Sequence, residues 1–197
     1  MSYLPLVIFC FSTAITPGPN NLMIMLSGVT FGFRRSLPHY FGICIGFPSM
    51  VFLVGLGMGE IFQYMPILHI IIQYLGATYM LYLAWLLISS ATKLEIPEAN
   101  KKPFTFGKAL LFQWVNPKAW IMAIGVFATY SQLNINTLTQ TFIITLIYLI
   151  NCVICATIWL VGGISLSKYL TNPCHLRYFN LTMGILLILS IILIFVN

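Results

Sequence analysis

The stretch ITPGPNNL, residues 15–22, places Pro-Gly-Pro inside a hydrophobic run that extends over residues 3–31. Pro17 and Pro19 carry no backbone N–H, so the carbonyl four residues before each proline loses its helical partner. Gly18 gives the backbone freedom to turn between the two prolines. The stretch therefore predicts a helix that is broken near its middle into two half-helices.

The carbonyls that lose their partners belong to Thr13 and Ile15. An unpaired carbonyl in hydrocarbon costs on the order of several kcal/mol, so such a break persists only where protein or a polar cavity covers it. Asn20 directly follows the second proline and is a residue type that caps helices, so we expect it to cap the second half-helix. The break thus indicates a place where an apolar protein needs polar groups.

The composition identifies the solvent of this chain as lipid. Its 197 residues are 60% hydrophobic and only 6% charged, whereas about a quarter of the residues in soluble domains are charged. Several apolar runs reach about twenty residues, enough to cross a hydrocarbon core of roughly 30 Å. They do not alternate as barrel strands do, which predicts an all-α integral membrane protein. The start, MSYLPLVIFC, lacks a basic segment, so we expect no cleavable signal peptide.

Six transmembrane helices are predicted, and a polar linker divides them into two halves. The expected spans are residues 3–30, 39–62, 66–91, 107–130, 138–163 and 176–196. The stretch TKLEIPEANKKPF combines charges with two prolines and marks the linker. The expected domains are a first three-helix half at residues 1–91, a cytoplasmic linker at residues 92–106 and a second three-helix half at residues 107–197.

The basic residues predict the orientation of the chain. Apart from Lys118, they lie in or beside loops on one side of this arrangement, and they are Arg34, Arg35, Lys93, Lys101, Lys102, Lys108, Lys168 and Arg177. The opposite side holds both termini and has no Lys or Arg, so both termini are expected in the periplasm. This topology, with anionic lipid at the inner face, explains the net charge of +6 and gives no reason to expect a nucleic-acid partner.

A second proline break lies in the fourth span. The stretch FQWVNPKAW, residues 112–120, places Asn116-Pro117 well inside the span and leaves the carbonyl of Gln113 without its helical partner. Lys118 follows directly and is the only basic residue predicted deep in a span. Spans 1 and 4 cross in opposite directions, so the two halves are expected to form an inverted repeat. Interrupted helices at matching positions indicate a transporter's substrate site near the middle of the membrane.

Three motifs resemble the LysE family of amino-acid exporters, namely TPGPNN at residues 16–21, GFRRSLPHYFGICIGF at 32–47 and FQWVNPKAW at 112–120. The resemblance covers essentially the whole chain and is strongest to the RhtB branch, near the cysteine and O-acetylserine exporters. It implies a secondary transporter of the bacterial cell inner membrane, not an enzyme, that works without a cofactor. The implied activity is export of small neutral amino acids or derivatives, such as cysteine, O-acetylserine, homoserine or threonine, by proton antiport. The chain contains no Asp, so the membrane-embedded Asp of some lysine-exporting relatives has no counterpart, which disfavours a cationic substrate.

The resemblance and the two breaks together predict an amino-acid site. A zwitterionic amino acid needs donors and positive potential for its carboxylate and acceptors for its ammonium. The N-terminal ends of the second half-helices supply the donors, and the carbonyls of Thr13, Ile15 and Gln113 are expected acceptors. The expected substrate-binding residues are Thr16, Pro17, Gly18, Pro19, Asn20, Asn21, Asn116, Pro117 and Lys118.

A simpler interpretation stays open, in which the breaks only shape helix packing and Lys118 extends its ammonium toward the inner surface. His39 and Glu60 are weaker candidates for proton coupling, His39 because it titrates near neutral pH and Glu60 as the acidic residue near a span. An ordinary interfacial polar role is the alternative for both residues. The GxxxG patterns at residues 42–46 and 55–59 favour close packing inside the bundle over a homodimer contact.

The cysteines suggest a rival function of another class. Cys152 and Cys155 form a C-x-x-C pair, which a transmembrane thiol-redox carrier would use. No proline or basic residue adjoins the pair in sequence, and span 4 has no cysteine, so we interpret all five cysteines as small apolar fillers. A metal-ion exporter is a third alternative, but His-rich tracts and clustered carboxylates are absent, so no metal site is predicted.

Overall fold

The computed structural model describes residues 3–57, 66–90, 103–130, 136–170 and 172–196. All regular secondary structure in these ranges is α-helical, as predicted. The helices are α1 (Leu4–Ile15), α2 (Pro19–Gly55), α3 (Pro66–Ser90), α4 (Phe106–Val115), α5 (Pro117–Tyr130), α6 (Thr137–Ser167) and α7 (Pro173–Val196). The predicted coupling residue Glu60 and most of the predicted linker lie outside the described residues.

Helix α2 contains one residue that is not helical. Gly32 has φ 71° and ψ −175°, a combination that favours glycine because a Cβ would clash with the backbone there. The helix therefore consists of two segments, residues 19–31 and residues 33–55. The prediction of a loop at Arg34 and Arg35, with the next span starting at residue 39, is wrong: both arginines lie in the second segment. A single glycine is enough to redirect the chain.

Helices α2, α4 and α6 approach each other closely because glycines stand at their contacts. A Cβ built on Gly28 of α2 would lie 2.6 Å from the carbonyl oxygen of Leu160 in α6. A Cβ on Gly42 would lie 2.5 Å from the Cβ of Ala109 in α4. A Cβ on Gly46 would lie 2.9 Å from the Cα of Leu110, which is also in α4. The predicted packing of the first GxxxG pattern inside the protein is confirmed. The last glycine of the second pattern lies outside the described residues.

The core lies where α1, α2, α5 and α6 meet, while large apolar side chains point outward. Tyr148, Leu22 and Ile24 are fully buried, whereas Leu111 and Phe142 each have 65% of their surface exposed. Within the described residues, α2 and α6 are long and apolar enough to cross a membrane, and α1 is apolar but shorter. Apolar residues on the outside agree with a protein that faces lipid, where exposure carries no hydrophobic penalty.

Candidate functional site

The first predicted break is present. Helix α1 ends at Ile15, Thr16 has an extended ψ of 145°, and α2 begins at Pro19. The residue that caps α2 is Gly18, and no side-chain capping bond is made at this helix start within the described residues. The prediction that Asn20 caps the second half-helix is therefore wrong. Its side chain is engaged in a contact with another helix, described below.

The carbonyls at this break have partners in the structure. The Thr13 carbonyl accepts a hydrogen bond of 2.8 Å from the Thr16 hydroxyl, and the Ile15 carbonyl accepts one of 3.2 Å from Nε1 of Trp159 in α6. Nδ2 of Asn21 donates to the carbonyl of Thr16 at 2.9 Å. Side-chain donors thus replace the N–H groups that the prolines lack, and protein covers the break, as predicted.

The second break is also present. Helix α4 ends at Val115, and Asn116 adopts an extended conformation before α5 begins at Pro117. Oδ1 of Asn116 accepts from the backbone N–H of Lys118 at 3.2 Å, so Asn116 caps α5. The carbonyl of Gln113 accepts from the N–H of Asn116 at 3.3 Å, so a donor three residues on replaces the helical partner that Pro117 cannot supply.

Lys118 connects the two breaks. Its Nζ donates to the carbonyl of Thr16 at 2.7 Å, to the hydroxyl of the same residue at 2.7 Å and to the carbonyl of Pro17 at 3.2 Å. These three bonds account for the three hydrogens of an ammonium group. The side chain is half-buried, and its ammonium contacts the break in the other half of the chain.

A second connection between the breaks is a pair of side-chain amides. Nδ2 of Asn20 donates to Oε1 of Gln113 at 2.7 Å, and Nε2 of Gln113 donates back to Oδ1 of Asn20 at 3.1 Å. Gln113 is completely buried and also donates to the carbonyl of Ala109 at 2.8 Å. This reciprocal amide pair fixes the relative position of α2 and α4.

A small, partly open cavity lies between the breaks. Its lining residues are Ala14, Gly18, Asn20, Asn21, Ile43, Phe47, Asn116, Lys118, Ala119, Met122, Cys152, Cys155 and Ala156. Five of the predicted binding residues, Gly18, Asn20, Asn21, Asn116 and Lys118, are thus brought together. The other four shape the breaks: Thr16 and Pro17 bind the Lys118 ammonium, and Pro19 and Pro117 begin helices.

The ammonium in this cavity has no carboxylate beside it among the described residues. The chain contains no Asp, and its three acidic residues, Glu60, Glu95 and Glu98, lie outside the described ranges. Within those ranges, the Lys118 ammonium donates to carbonyl and hydroxyl oxygens. A half-buried ammonium attracts an anion, because low-dielectric surroundings screen its charge weakly.

Gly18 leaves the space through which Lys118 reaches the first break. A Cβ on Gly18 would lie 2.7 Å from Cδ and 3.0 Å from Nζ of Lys118. The backbone of Gly18 is fully extended, with φ −179° and ψ 175°, which any residue adopts. The glycine is therefore required for the close approach of the lysine side chain and not for an unusual backbone conformation.

His39 lies in α2 away from the cavity lining. Its side chain is 3% exposed, and its ring centroid is 5.2 Å from that of Phe104. Within the part of the chain that the structure describes, its Nδ1 is buried without a hydrogen-bond partner. The side chain is therefore packed in the protein interior.

The cysteine pair lies at the cavity. Cys152 and Cys155 are buried, as fillers are, but both line the cavity together with Lys118. No basic residue adjoins the two cysteines in sequence, but in the folded protein Lys118 lines the same cavity. Cys152, Cys155 and Ala156 share one helical face, a spacing of three and four residues that the sequence contains. The sequence does not reveal that this helical face lies at the two breaks.

A metal centre finds no support in the described ranges, where no group of three or more His, Cys, Asp or Glu side chains comes together. The site is instead a cavity with polar groups and one ammonium, between interrupted helices of an apolar helical protein. That combination is typical of one class of protein, the membrane transporters with interrupted helices.

The chain belongs to the LysE type translocator family, whose profile matches residues 11–196. The family consists of membrane transporters and not of enzymes, in agreement with the resemblance of the three motifs. The chain is 26% identical over 142 residues to a leucine efflux protein of Enterobacter sp. (strain 638), an alignment that covers 70% of this chain and 67% of that protein.

It is also 30% identical over 118 residues to a cysteine/O-acetylserine efflux protein of Escherichia coli (strain K12). That alignment covers 60% of both chains, so it spans less than two thirds of this relative's length. No solved structure matches the chain significantly.

Proposed function

We propose that the protein exports small neutral amino acids or their derivatives, of the cysteine, O-acetylserine, homoserine or threonine type, across the bacterial inner membrane. The observation that carries this proposal is the Lys118 ammonium, held in a cavity between two helix breaks without a carboxylate among the described residues. The names of the relatives, a leucine and a cysteine/O-acetylserine efflux protein, support amino acids as the cargo.

The proposed binding step is an exchange of partners. In the structure, the Lys118 ammonium donates to the carbonyls of Thr16 and Pro17. On binding, this ammonium donates to the substrate carboxylate instead, and the two carbonyls accept hydrogen bonds from the substrate's own ammonium. Each charged group of the amino acid thus replaces an interaction of the same kind, so little polar surface is left unpaired. The exchange also removes a direct connection between the two breaks, which couples binding to movement of one half against the other.

The proposed architecture has six spans, in two inverted halves at residues 1–91 and 107–197, with both termini in the periplasm. The helix order supports it, because each interrupted helix, α1 with the first segment of α2 and α4 with α5, precedes two further helices. A tag at either terminus should be accessible from the periplasm, and a reporter at Lys101 should be cytoplasmic. A cytoplasmic C-terminus would contradict the six-span topology.

Transport in proteoliposomes tests the proposed function. Vesicles preloaded with single amino acids, neutral and cationic, should release the small neutral ones, and an imposed pH gradient should increase their release. Empty vesicles and vesicles with an unrelated membrane protein serve as controls. If no amino acid or derivative is released faster than from the controls, the proposed function is wrong; release that ignores the pH gradient would overturn proton antiport alone.

For proton coupling we propose His39, whose buried Nδ1 has no hydrogen-bond partner among the described groups. Glu60 is the second proposed residue. The variant His39→Gln should keep exchange of amino acids at equal pH on both sides and lose most of the stimulation by a pH gradient. His175, which is exposed, is the matched control for the same substitution. Full stimulation in His39→Gln would exclude His39 from coupling.

A thiol-redox carrier is the second candidate, because two thiols line the same cavity as Lys118. The double variant Cys152→Ser and Cys155→Ser distinguishes the two functions. Amino-acid export should continue, at a rate that the added hydroxyls in the apolar lining change, because the proposed step uses no sulfur chemistry; thiol transfer should be lost. Loss of export together with a measurable thiol-disulfide exchange activity in the unmodified protein would favour the carrier.

A further inference from the structure

The cavity has two chemically different walls. The polar wall comes from the two breaks and carries Lys118 with the side-chain amides of Asn20, Asn21 and Asn116. The apolar wall comes from helix interiors and consists of Ile43 and Phe47 of α2, Met122 of α5, and Cys152, Cys155 and Ala156 of α6. A ligand with a charged end and an uncharged end fits such a cavity in one orientation only.

We propose that Phe47, Met122, Cys155 and Ala156 form the subsite for the substrate side chain and limit its size and charge. This inference rests on the proposed function, because the polar wall must hold the amino and carboxylate groups. Once those groups are placed at the breaks, the side chain has only the apolar wall left to contact. The four residues are well buried, with exposures of 4%, 8%, 2% and 2% respectively, so the wall is part of the packed interior.

Tyr148 holds this wall in place from behind. Its ring packs edge-on against Phe47 with the centroids 5.1 Å apart, and its hydroxyl donates to the carbonyl of Met122 at 3.4 Å. The same hydroxyl is 3.5 Å from Oγ1 of Thr13 in α1. Tyr148 is completely buried, so helices α1, α2, α5 and α6 are joined at one point. A wall that is fixed from behind discriminates by size, because it cannot yield to an extra methylene.

The same wall excludes a charged side chain. The described residues contain no carboxylate, so nothing there would neutralise a second ammonium on the substrate. Lys118 would repel such a group, and burying an unpaired charge against Phe47 and Met122 is costly. The subsite therefore selects uncharged side chains by the chemistry of its lining, independently of how the polar wall holds the amino acid.

A series of straight-chain amino acids tests the subsite in the purified protein in liposomes. Binding constants are measured for alanine, 2-aminobutyrate, norvaline and norleucine, and for lysine, which is norleucine with an added ammonium. In the unmodified protein, lysine should bind at least about tenfold more weakly than norleucine. Equal binding of these two would overturn the charge selection.

Two variants change the size of the wall in opposite directions. Met122→Ala should increase the affinity for norleucine relative to that for alanine, and Ala156→Val should decrease it. Each change should be about tenfold, as expected for one or two methylenes in an apolar pocket. The matched control is Ile121→Ala, since Ile121 adjoins Met122 in sequence but is 44% exposed and faces away from the cavity. It should leave the ratio unchanged.

The outcomes separate this inference from the proposed function. If the unmodified protein binds amino acids but Met122→Ala leaves the norleucine-to-alanine ratio as it is in the Ile121→Ala control, the subsite is wrong and the proposed function stands. This result decides the matter even if Ala156→Val does not fold. If the unmodified protein binds none of these amino acids, the proposed function fails and the subsite fails with it.

Discussion

Lys118→Met should weaken binding of a neutral amino acid by about ten- to a hundredfold, because a hydrogen bond to a charged group contributes roughly 1.5 to 3 kcal/mol. The protein should still insert into the membrane, since removing a charge from a span lowers an insertion penalty of about 2.5 to 3.5 kcal/mol. The variant also removes the bonds to Thr16 and Pro17. The Thr16 carbonyl keeps its bond from Asn21, so the break is not left without polar contacts.

Two further variants distinguish a binding role from a lysine that merely extends toward the surface. Lys118→Arg should recover only part of the affinity, because a planar guanidinium is larger and presents its donors differently from a compact ammonium. Lys108→Met is the matched control, since Lys108 is exposed in the first turn of α4. The Lys108→Met variant should bind a neutral amino acid with the same affinity as the unmodified protein. Full affinity in Lys118→Met would remove Lys118 from the site.

Replacing Pro17 and Pro19 together with Ala should abolish transport while the protein stays in the membrane. Alanine restores the N–H groups that a continuous helix needs, so the carbonyls of Thr13 and Ile15 regain helical partners. They would then give up their bonds from the Thr16 hydroxyl and from Trp159. Straightening the chain here moves the Thr16 carbonyl away from Lys118 and dismantles the polar wall.

The control for this double variant is Pro38→Ala. Pro38 is inside α2, is exposed and lies at neither break. Transport by this variant should remain close to that of the unmodified protein. Both variants need a measurement of the amount of folded protein in the membrane, for example by gel filtration after extraction. Unchanged transport in the Pro17 and Pro19 double variant would make Pro-Gly-Pro a packing feature only.

The breaks could be predicted from the sequence because the effect of a proline is local. The ring of Pro17 removes one donor wherever the chain goes, and Asn116-Pro117 has the same effect in α4. The partners of these residues could not be predicted in the same way. Lys118 is 102 residues from Thr16, and Gln113 is 93 residues from Asn20, so their contacts depend on how the helices pack.

The errors have physical reasons of the same kind. The capping role given to Asn20 follows from its local position, but the buried amide of Gln113 offers its side chain a stronger reciprocal contact. The loop expected at Arg34 and Arg35 follows from their charge, whereas a positive φ at Gly32 turns the chain without a loop. A tertiary contact therefore determines the role of Asn20, and one glycine torsion determines the path of the chain at Gly32; composition and local propensity predict neither.

The central claim is that Lys118 binds the carboxylate of an amino acid at the junction of the two breaks. Comparing alanine with alaninamide, which lacks the carboxylate, in the unmodified protein and in Lys118→Met measures this contact directly. The unmodified protein should prefer alanine by about ten- to a hundredfold, and the preference should disappear in the variant. An equal preference for alanine in both proteins would contradict the claim, because another group would then be binding the carboxylate.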